Sequence, residues 1–417
     1  MKILYVAYSC LPDKGSEEKI GWNIPIESAK TNQVIVVTKE EHRKVIEKYT
    51  QEHNISNPKF YFVDIPQLHK KIWKGAAYSV RLNIWHRKAF NVVKRICQDE
   101  GVDIIHQITP IEFRSIGRYY RIPNTQFVCG PLGGGEYIPT GLRKYAVSNL
   151  HIECIRRVLN CFCKAKYFVN RQLSKCDYFL FANRETQNYM RNLIGNVKSE
   201  VYFDNGISKS EIEETERNPK RKGDKIVFLT AGRMAYRKGH RLLLDAIRRL
   251  PQNVNCEFRF VGDGPEAEKL KKICREYKLE DRVVFTGKIS YSEMKDEYSR
   301  ADVFIMPSIR ETTGAVLLEA ASRGVPVIST EHFGAPVLFD SNSAYFYSGK
   351  NLEQYIDCLV KVIIGCIVSP SDICVRAKNA RKAVNPQIWE NKLAKYNAIY
   401  CDVLKGQVKR EEIYDHQ

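Results

Sequence analysis

The chain has 417 residues, 44% hydrophobic, 11% aromatic and 27% charged, enough apolar material for about two to three packed domains and far from disordered or collagen-like compositions. Its 66 Lys and Arg against 48 Asp and Glu leave +18, which points to an anionic partner: nucleic acid, an acidic lipid surface or a phosphorylated ligand. No run approaches the ~20 consecutive apolar residues that cross a bilayer, which argues against an integral membrane protein, and thirteen cysteines without a C-x-x-C pair read as reduced thiols in a cytosol.

The first residues, Met1 to Cys10, are apolar but run straight into Pro12, Asp13 and Lys14, so they read as a strand and not as an export signal. Strands are expected at Lys2 to Tyr8, Gln33 to Lys39, Lys59 to Asp64, Val102 to His106, Thr125 to Cys129, Asp177 to Ala182 and Val201 to Phe203. A helix from Ser16, a long helical region ending near Asp99 and basic helices after Cys129 lie between them. Continuous apolar strands separated by helices imply a parallel sheet covered on both faces. His151, Cys154, Cys161, Cys163 and Cys176 fall at irregular spacing in a helical stretch and read as free thiols, not as a metal cluster.

Asn205-Gly206 breaks the pattern, and Lys209 to Asp224 is polar and strandless. The alternation then restarts, with strands at Lys225 to Ala231, Cys256 to Val261, Val283 to Phe285, Asp302 to Met306 and Pro326 to Thr330. Helices are expected at His240 to Leu250, Glu266 to Tyr277, Ser292 to Arg300 and Gly314 to Arg323, and Trp389 to Leu404 reads as an amphipathic helix. The expected organisation is α/β: a Rossmann-like domain over 1–206, a linker over 207–224, a second Rossmann-like domain over 225–387 and a C-terminal helix over 388–417. Strand C-termini and helix N-termini of both domains would face a central cleft, the default ligand site of such folds.

Candidate chemistry collects after strands of the second half. Gly232-Arg233-Met234-Ala235-Tyr236-Arg237-Lys238-Gly239 places fixed positive charge at a helix entrance, where a forked guanidinium, an ammonium and free amides suit a diphosphate. Glu311-Thr312-Thr313-Gly314 opens the next helix, and Glu319 lies about 8 Å farther along it, close to the span from a diphosphate to a nucleoside ribose. Gly262-Asp263-Gly264-Pro265 is a tight turn that lets backbone approach a ligand. In the first half Gly15-Ser16 follows the first strand, His106 is expected to end its strand and point at the crevice, and Gly133-Gly134-Gly135-Glu136 follows another strand.

Taken in order, Gly-Arg-x4-Lys-Gly from Gly232, Gly262-Asp263-Gly264-Pro265, Glu311-x7-Glu319 and Ala320-x2-Arg323-Gly-Val-Pro-Val-Ile resemble the second domain of family 4 glycosyltransferases, retaining enzymes of the GT-B fold. The Gly15 loop, Asp103-Ile104-Ile105-His106 and Gly133-Gly134-Gly135-Glu136 resemble that family's first domain, and the helix at Trp389 is similar to the one that crosses back to it. Two departures stand out: Thr312-Thr313 replaces a small residue and an aromatic, and Gly15-Ser16 replaces a frequent Gly pair.

The resemblance implies that Arg233 and Lys238 stabilise the leaving diphosphate, that Glu311 positions the donor sugar and that His106 stands near the reacting centre. It further implies that Gly15, Ser16, Gly262, Thr312, Thr313, Gly314 and Glu319 hold the donor, with Gly134 and Glu136 on the acceptor side. No Asp-x-Asp metal motif occurs, so no metal and no further cofactor is expected. The expected partners are a nucleoside-diphosphate sugar and a glycan or lipid-linked acceptor of bacterial surface polysaccharide synthesis.

Gln67 to Gln98 carries +8 and Gly141 to Lys175 +7, fifteen of the eighteen excess charges. This concentration, with Trp73 and Trp85 as interfacial anchors, implies contact with an anionic membrane and a cytoplasmic location on its inner face. Two readings compete. A nucleic-acid-binding protein explains the charge but not carboxylates in the crevice, and a GT-B sugar-nucleotide epimerase or glycan phosphorylase shares the architecture.

Overall fold

The computed structural model describes residues 1–15, 17–65, 78–212 and 224–415. Its main chain divides into two units. The first comprises Met1–Gly135, Cys154–Gly206 and Gln387–Gln417, and the second Glu136–Glu153 and Ile207–Pro386.

The first unit is built on β1 (Lys2–Ala7), β2 (Gln33–Lys39), β3 (Lys59–Val63), β4 (Ile104–Thr109), β5 (Gln126–Leu132), β6 (Tyr178–Phe181) and β7 (Lys198–Val201). They form one sheet in the order β3-β2-β1-β4-β5-β6-β7, and every adjacent pair is parallel. Alternate side chains of β1 enter different cores, as a pleated strand covered on both faces requires. Leu4, Val6 and Tyr8 pack with Leu82, Trp85 and Phe127, while Ile3, Tyr5 and Ala7 pack with Trp389, Tyr396 and Tyr400 of the C-terminal helix Trp389–Asp415.

The second unit carries β8 (Ile226–Ala231), β9 (Cys256–Val261), β10 (Val283–Gly287), β11 (Val303–Met306), β12 (Val327–Thr330) and β13 (Ala344–Tyr347) in the parallel order β10-β9-β8-β11-β12-β13. Helix starts carry the expected caps. Ser290 and Glu293 form a capping box before Tyr291–Arg300, and the Asn351 side chain accepts from the Gln354 amide before Leu352–Val368.

The structure departs from the sequence reading in several places. Glu136–Glu153, expected in the first domain, belongs to the second unit. β4 runs past His106 to Thr109, and β7 occupies Lys198–Val201, so the apolar Tyr202 and Phe203 lie beyond it. The Phe203 carbonyl accepts from the Lys392 ammonium at 2.6 Å. β13 and the helices Leu352–Val368 and Pro370–Ala383 were not expected, although Asn351 as a cap and Pro370 at a helix start were signals for them. Ser16 and the stretch 66–77, which includes Lys70, Lys71, Trp73 and Lys74, lie outside the described residues, as does most of the expected linker 207–224.

Trp85 is wholly buried, its indole N–H donating to the Val63 carbonyl at 3.1 Å and its ring meeting Tyr8 edge-on. It is a core residue and not the interfacial anchor expected of it, because burying an aromatic of this size stabilises the fold by about 1.5–3 kcal/mol.

Candidate active site

At the C-terminal edge of the second sheet, the loops after β8, β9 and β11 lie backbone against backbone. Gly262 has φ +128°, and a Cβ there would sit 2.1 Å from the Gly232 carbonyl oxygen, so only glycine lets these two turns approach. The loop after β8 is tied to the loop after β11 by two amides: Ile309 and Arg310 donate to the Arg237 carbonyl at 2.9 and 3.2 Å.

That tie brings together charges 73 and 74 positions apart. The Glu311 carboxylate, its side chain 11% exposed, accepts from the Lys238 ammonium and lies 3.3 Å from an Arg237 nitrogen. Burial alone would raise its pKa. Lys238 and Arg237, joined by the Thr312 amide, outweigh that and hold the group below the usual carboxylate value. Two cations against one carboxylate leave this cluster net positive. Arg233 lies on the same loop, and its side chain is exposed and forms no ion pair among the described residues.

A second cluster adjoins within the same unit. Arg310 donates to Glu153 at 2.9 Å, and the Tyr236 hydroxyl donates to the same carboxylate oxygen at 2.6 Å. Burial works against the Arg310 charge, but Glu153, Tyr236 and Glu136 more than offset it and raise its pKa. Glu136 is buried in this second unit, so its expected place on the acceptor side is corrected. Arg237, Arg310, Tyr236 and Glu153 were missed as site residues. Arg237 and Arg310 stand directly beside Lys238 and Glu311, and that adjacency was the available signal.

Helix Ala315–Ser322 starts at Gly314, whose φ of +89° is left-handed and which makes no side-chain cap bond. The first amides of a helix have no intrahelical partner, and Gly314 supplies no side-chain cap for them. Thr312 is half-buried and Thr313 buried. Glu319 stands on the same helix, half-buried, and accepts from the Tyr298 hydroxyl at 3.1 Å. Lys238 and Glu311 thus meet on the strand-end loops, Thr312, Thr313 and Gly314 lead from Glu311 into the helix that carries Glu319, and Gly262 packs against the loop that holds Lys238. A cavity of about 630 Å³ in this unit borders Ala235 and Tyr236 but is lined largely by internally paired groups, among them Arg241 with Asp245 at 3.1 Å and Tyr145 with Asp245 at 2.7 Å.

The first unit treats its expected residues differently. His106 lies inside β4, is wholly buried, donates through Nε2 to the Gly130 carbonyl at 2.7 Å and accepts at Nδ1 from the Tyr400 hydroxyl at 2.6 Å. A carbonyl can only accept, which sets this tautomer, and burial pushes the imidazole down to about 3. Because β4 continues for three residues beyond it, His106 is a packing residue that ties the C-terminal helix to the sheet, and its expected catalytic place is corrected.

Gly134 presents its carbonyl to Arg156 at 2.6 Å and Asn160 at 3.1 Å. Gly15 is exposed, and a Cβ there would meet nothing within 4 Å. The loop end instead supplies Glu17, which accepts from the Ile111 amide at 3.1 Å; burial raises its pKa to about 7.

Residues 211–364, less than half of the chain, match the sequence model described as glycosyl transferases group 1. This segment spans the whole Lys238 and Glu311 cluster. Among curated relatives, the phosphatidylinositol N-acetylglucosaminyltransferase gpi3 subunit of Schizosaccharomyces pombe is 34% identical over 141 residues, 34% of this chain and 31% of the relative. The putative colanic acid biosynthesis glycosyltransferase WcaL of Salmonella typhimurium is 33% identical over 147 residues, 34% of this chain and 36% of the relative. The chain thus spans about a third of the length of these relatives.

Solved structures align over nearly the whole chain. A sucrose-phosphate synthase from Thermosynechococcus elongatus has TM-score 0.64 and 17% identity, covering 97% of this chain and 99% of its own. Anabaena HepE, solved in complex with UDP-glucose, has TM-score 0.60 and 15% identity, covering 95% and 99%. The fold is GT-B, two Rossmann-like units with parallel sheets of seven and six strands.

Proposed function

We propose that the protein is a glycosyltransferase that moves a sugar from a nucleoside-diphosphate sugar to a glycan or lipid-linked acceptor, with retention at C1 and without a metal, in bacterial surface polysaccharide synthesis on the inner face of the cell membrane. The observation that carries this reading is the net-positive Lys238, Arg237 and Glu311 cluster at the head of helix Ala315–Ser322, inside the segment that matches glycosyl transferases group 1. Cleavage of the bond from C1 to the diphosphate develops negative charge on the leaving group. Lys238, the exposed Arg233 and the amides at Thr313 to Ala315 would receive that charge, and preorganised donors of this kind are each worth about 10²- to 10³-fold in rate.

Glu311 holds Lys238 and Arg237 in place and would contact the donor sugar, while Glu319 would accept from the ribose hydroxyls. Retention would follow a same-face path in which the leaving phosphate helps to deprotonate the acceptor. The complex of HepE with UDP-glucose supports a nucleotide-sugar ligand. The test is a thermal-shift panel of nucleoside diphosphates and nucleotide sugars, where a ligand at 100 times its Kd adds about 2.7 kcal/mol. The best donor is then assayed for transfer with EDTA present and for product configuration by NMR. Loss of activity in EDTA restored by Mn²⁺ or Mg²⁺ would overturn metal independence, an inverted product would overturn retention, and donor turnover without any acceptor would favour an epimerase.

A further inference from the structure

We infer that the helix Leu150–Asn170 docks the protein on an anionic bilayer by laying its outward apolar face into the interface. The helix is inverted relative to an ordinary surface helix, whose apolar stripe faces the core. Glu153, Asn160 and Tyr167, seven apart, point inward and are 7%, 0% and 2% exposed. The opposite face presents Val158 at 68%, Phe162 at 69% and Val169 at 78%, flanked by Ile155 and Phe168 at 46% and 67%. At 100° per residue, Val158, Phe162, Ala165 and Val169 fall within one 60° sector. The exposed thiols Cys154 and Cys161 extend the same face, so no acid interrupts it.

Charge selects the occupant. Arg157 and Lys164 flank one edge of this face and Lys166 the other, and Arg171 and Lys175 follow the helix. Glu153 is the one acid between Gly141 and Lys175, and it is neutralised by Arg310. An apolar face bordered by cations matches the acyl boundary and anionic headgroups of a membrane surface.

A second copy of the chain fits less well. From Cys154 to Val169 the face is about 24 Å long and about 10 Å wide, about 240 Å² at 1.5 Å rise per residue, against about 800 Å² per partner in a stable interface. Pairing two such helices would also juxtapose their cations. Among the described residues no single helix is long and apolar enough to cross a membrane, so the contact is with the surface. The inference deepens the proposed lipid-linked acceptor, since it places the catalyst where such an acceptor resides.

The test is flotation of the full chain with phosphatidylglycerol-containing vesicles or with phosphatidylcholine alone, at low and physiological salt. The chain should float with the anionic vesicles and be released by salt. Val158→Asp with Phe162→Asp should lower the bound fraction at least tenfold, and Arg157→Glu with Lys164→Glu at least threefold. Val375→Asp, a 57% exposed position in the second unit, should change nothing. All these side chains are exposed or half-buried, and circular dichroism with nucleoside-diphosphate thermal shift, measured without vesicles, reports folding and the donor site independently. Equal flotation on neutral vesicles, or parental flotation by the double Asp variant, overturns the inference. So does a parental dimer in sedimentation that the double Asp variant dissociates, which would assign the face to a second copy.

Discussion

At the strand-end edge of the second sheet, Lys238, Arg237 and Glu311 meet in one net-positive cluster, whereas in the first sheet His106 is locked in the interior between Gly130 and Tyr400 and the acid near the loops is the half-buried Glu17. The contrast has a local cause. Lys238 and Glu311 sit on loops between a strand and the next helix, and a shift of one or two residues in either boundary leaves them on the loop. His106 was assigned by where a strand should stop, and three more residues of strand turned a cleft residue into a core one.

The largest expected effect sharpens that contrast. Lys238→Ala should lower turnover by about 10²-fold or more and also destabilise the fold by about 3 kcal/mol, because it leaves Glu311 with one cationic partner, Arg237, in a poorly solvated site. Arg233→Ala should lower turnover comparably while leaving stability within about 0.5 kcal/mol, since its exposed side chain pairs with nothing. Transfer rates and urea unfolding of both variants separate the two, and near-parental turnover in both would remove the proposed site.

The next effect belongs to the first unit. His106→Phe should cost about 2–4 kcal/mol in urea unfolding, as it removes the partner of the Gly130 carbonyl and leaves the Tyr400 hydroxyl only its longer bond to the Tyr5 hydroxyl at 3.3 Å, yet leave kcat of the folded protein near parental. A hundredfold loss of kcat with unchanged stability would restore His106 to the chemistry and break the comparison.

Two smaller effects are read in pH. Burial lowers Lys392 from 10.5 to about 7, against the opposing pull of Asp204. Between pH 7 and 10.5 the unfolded lysine carries a proton that the folded one lacks, so stability should rise with pH by about 1.4 kcal/mol per unit at most. Lys392→Met should abolish that component between pH 7 and 10. Glu17 runs the other way, raised from 4.5 to about 7 by burial. Its folded form holds the extra proton, so stability is fully present below pH 4.5 and is lost as pH climbs through 7. Glu17→Gln should flatten that narrower window, and an unchanged slope in either variant would place the titration elsewhere.

Much of this molecule was legible before folding. The alternation of buried strands with helices, the break after Asn205-Gly206 and the Gly232, Gly262 and Gly314 turns are short-range properties, because strand period, glycine conformation and helix entry depend on a few neighbouring residues. They were enough to give two Rossmann-like units and to put Lys238 and Glu311 on loops that follow strands, with Glu319 on the helix after the second. What only the tertiary structure decided is which face of each element is covered and which distant groups meet. It moved Glu136–Glu153 to the second unit, paired Arg310 with Glu153 across 157 positions, buried Trp85 and turned the apolar side of Leu150–Asn170 outward. The amphipathic pattern of that helix is visible in its sequence, but a pattern has no inside or outside until Glu153, Asn160 and Tyr167 find their partners in the folded chain.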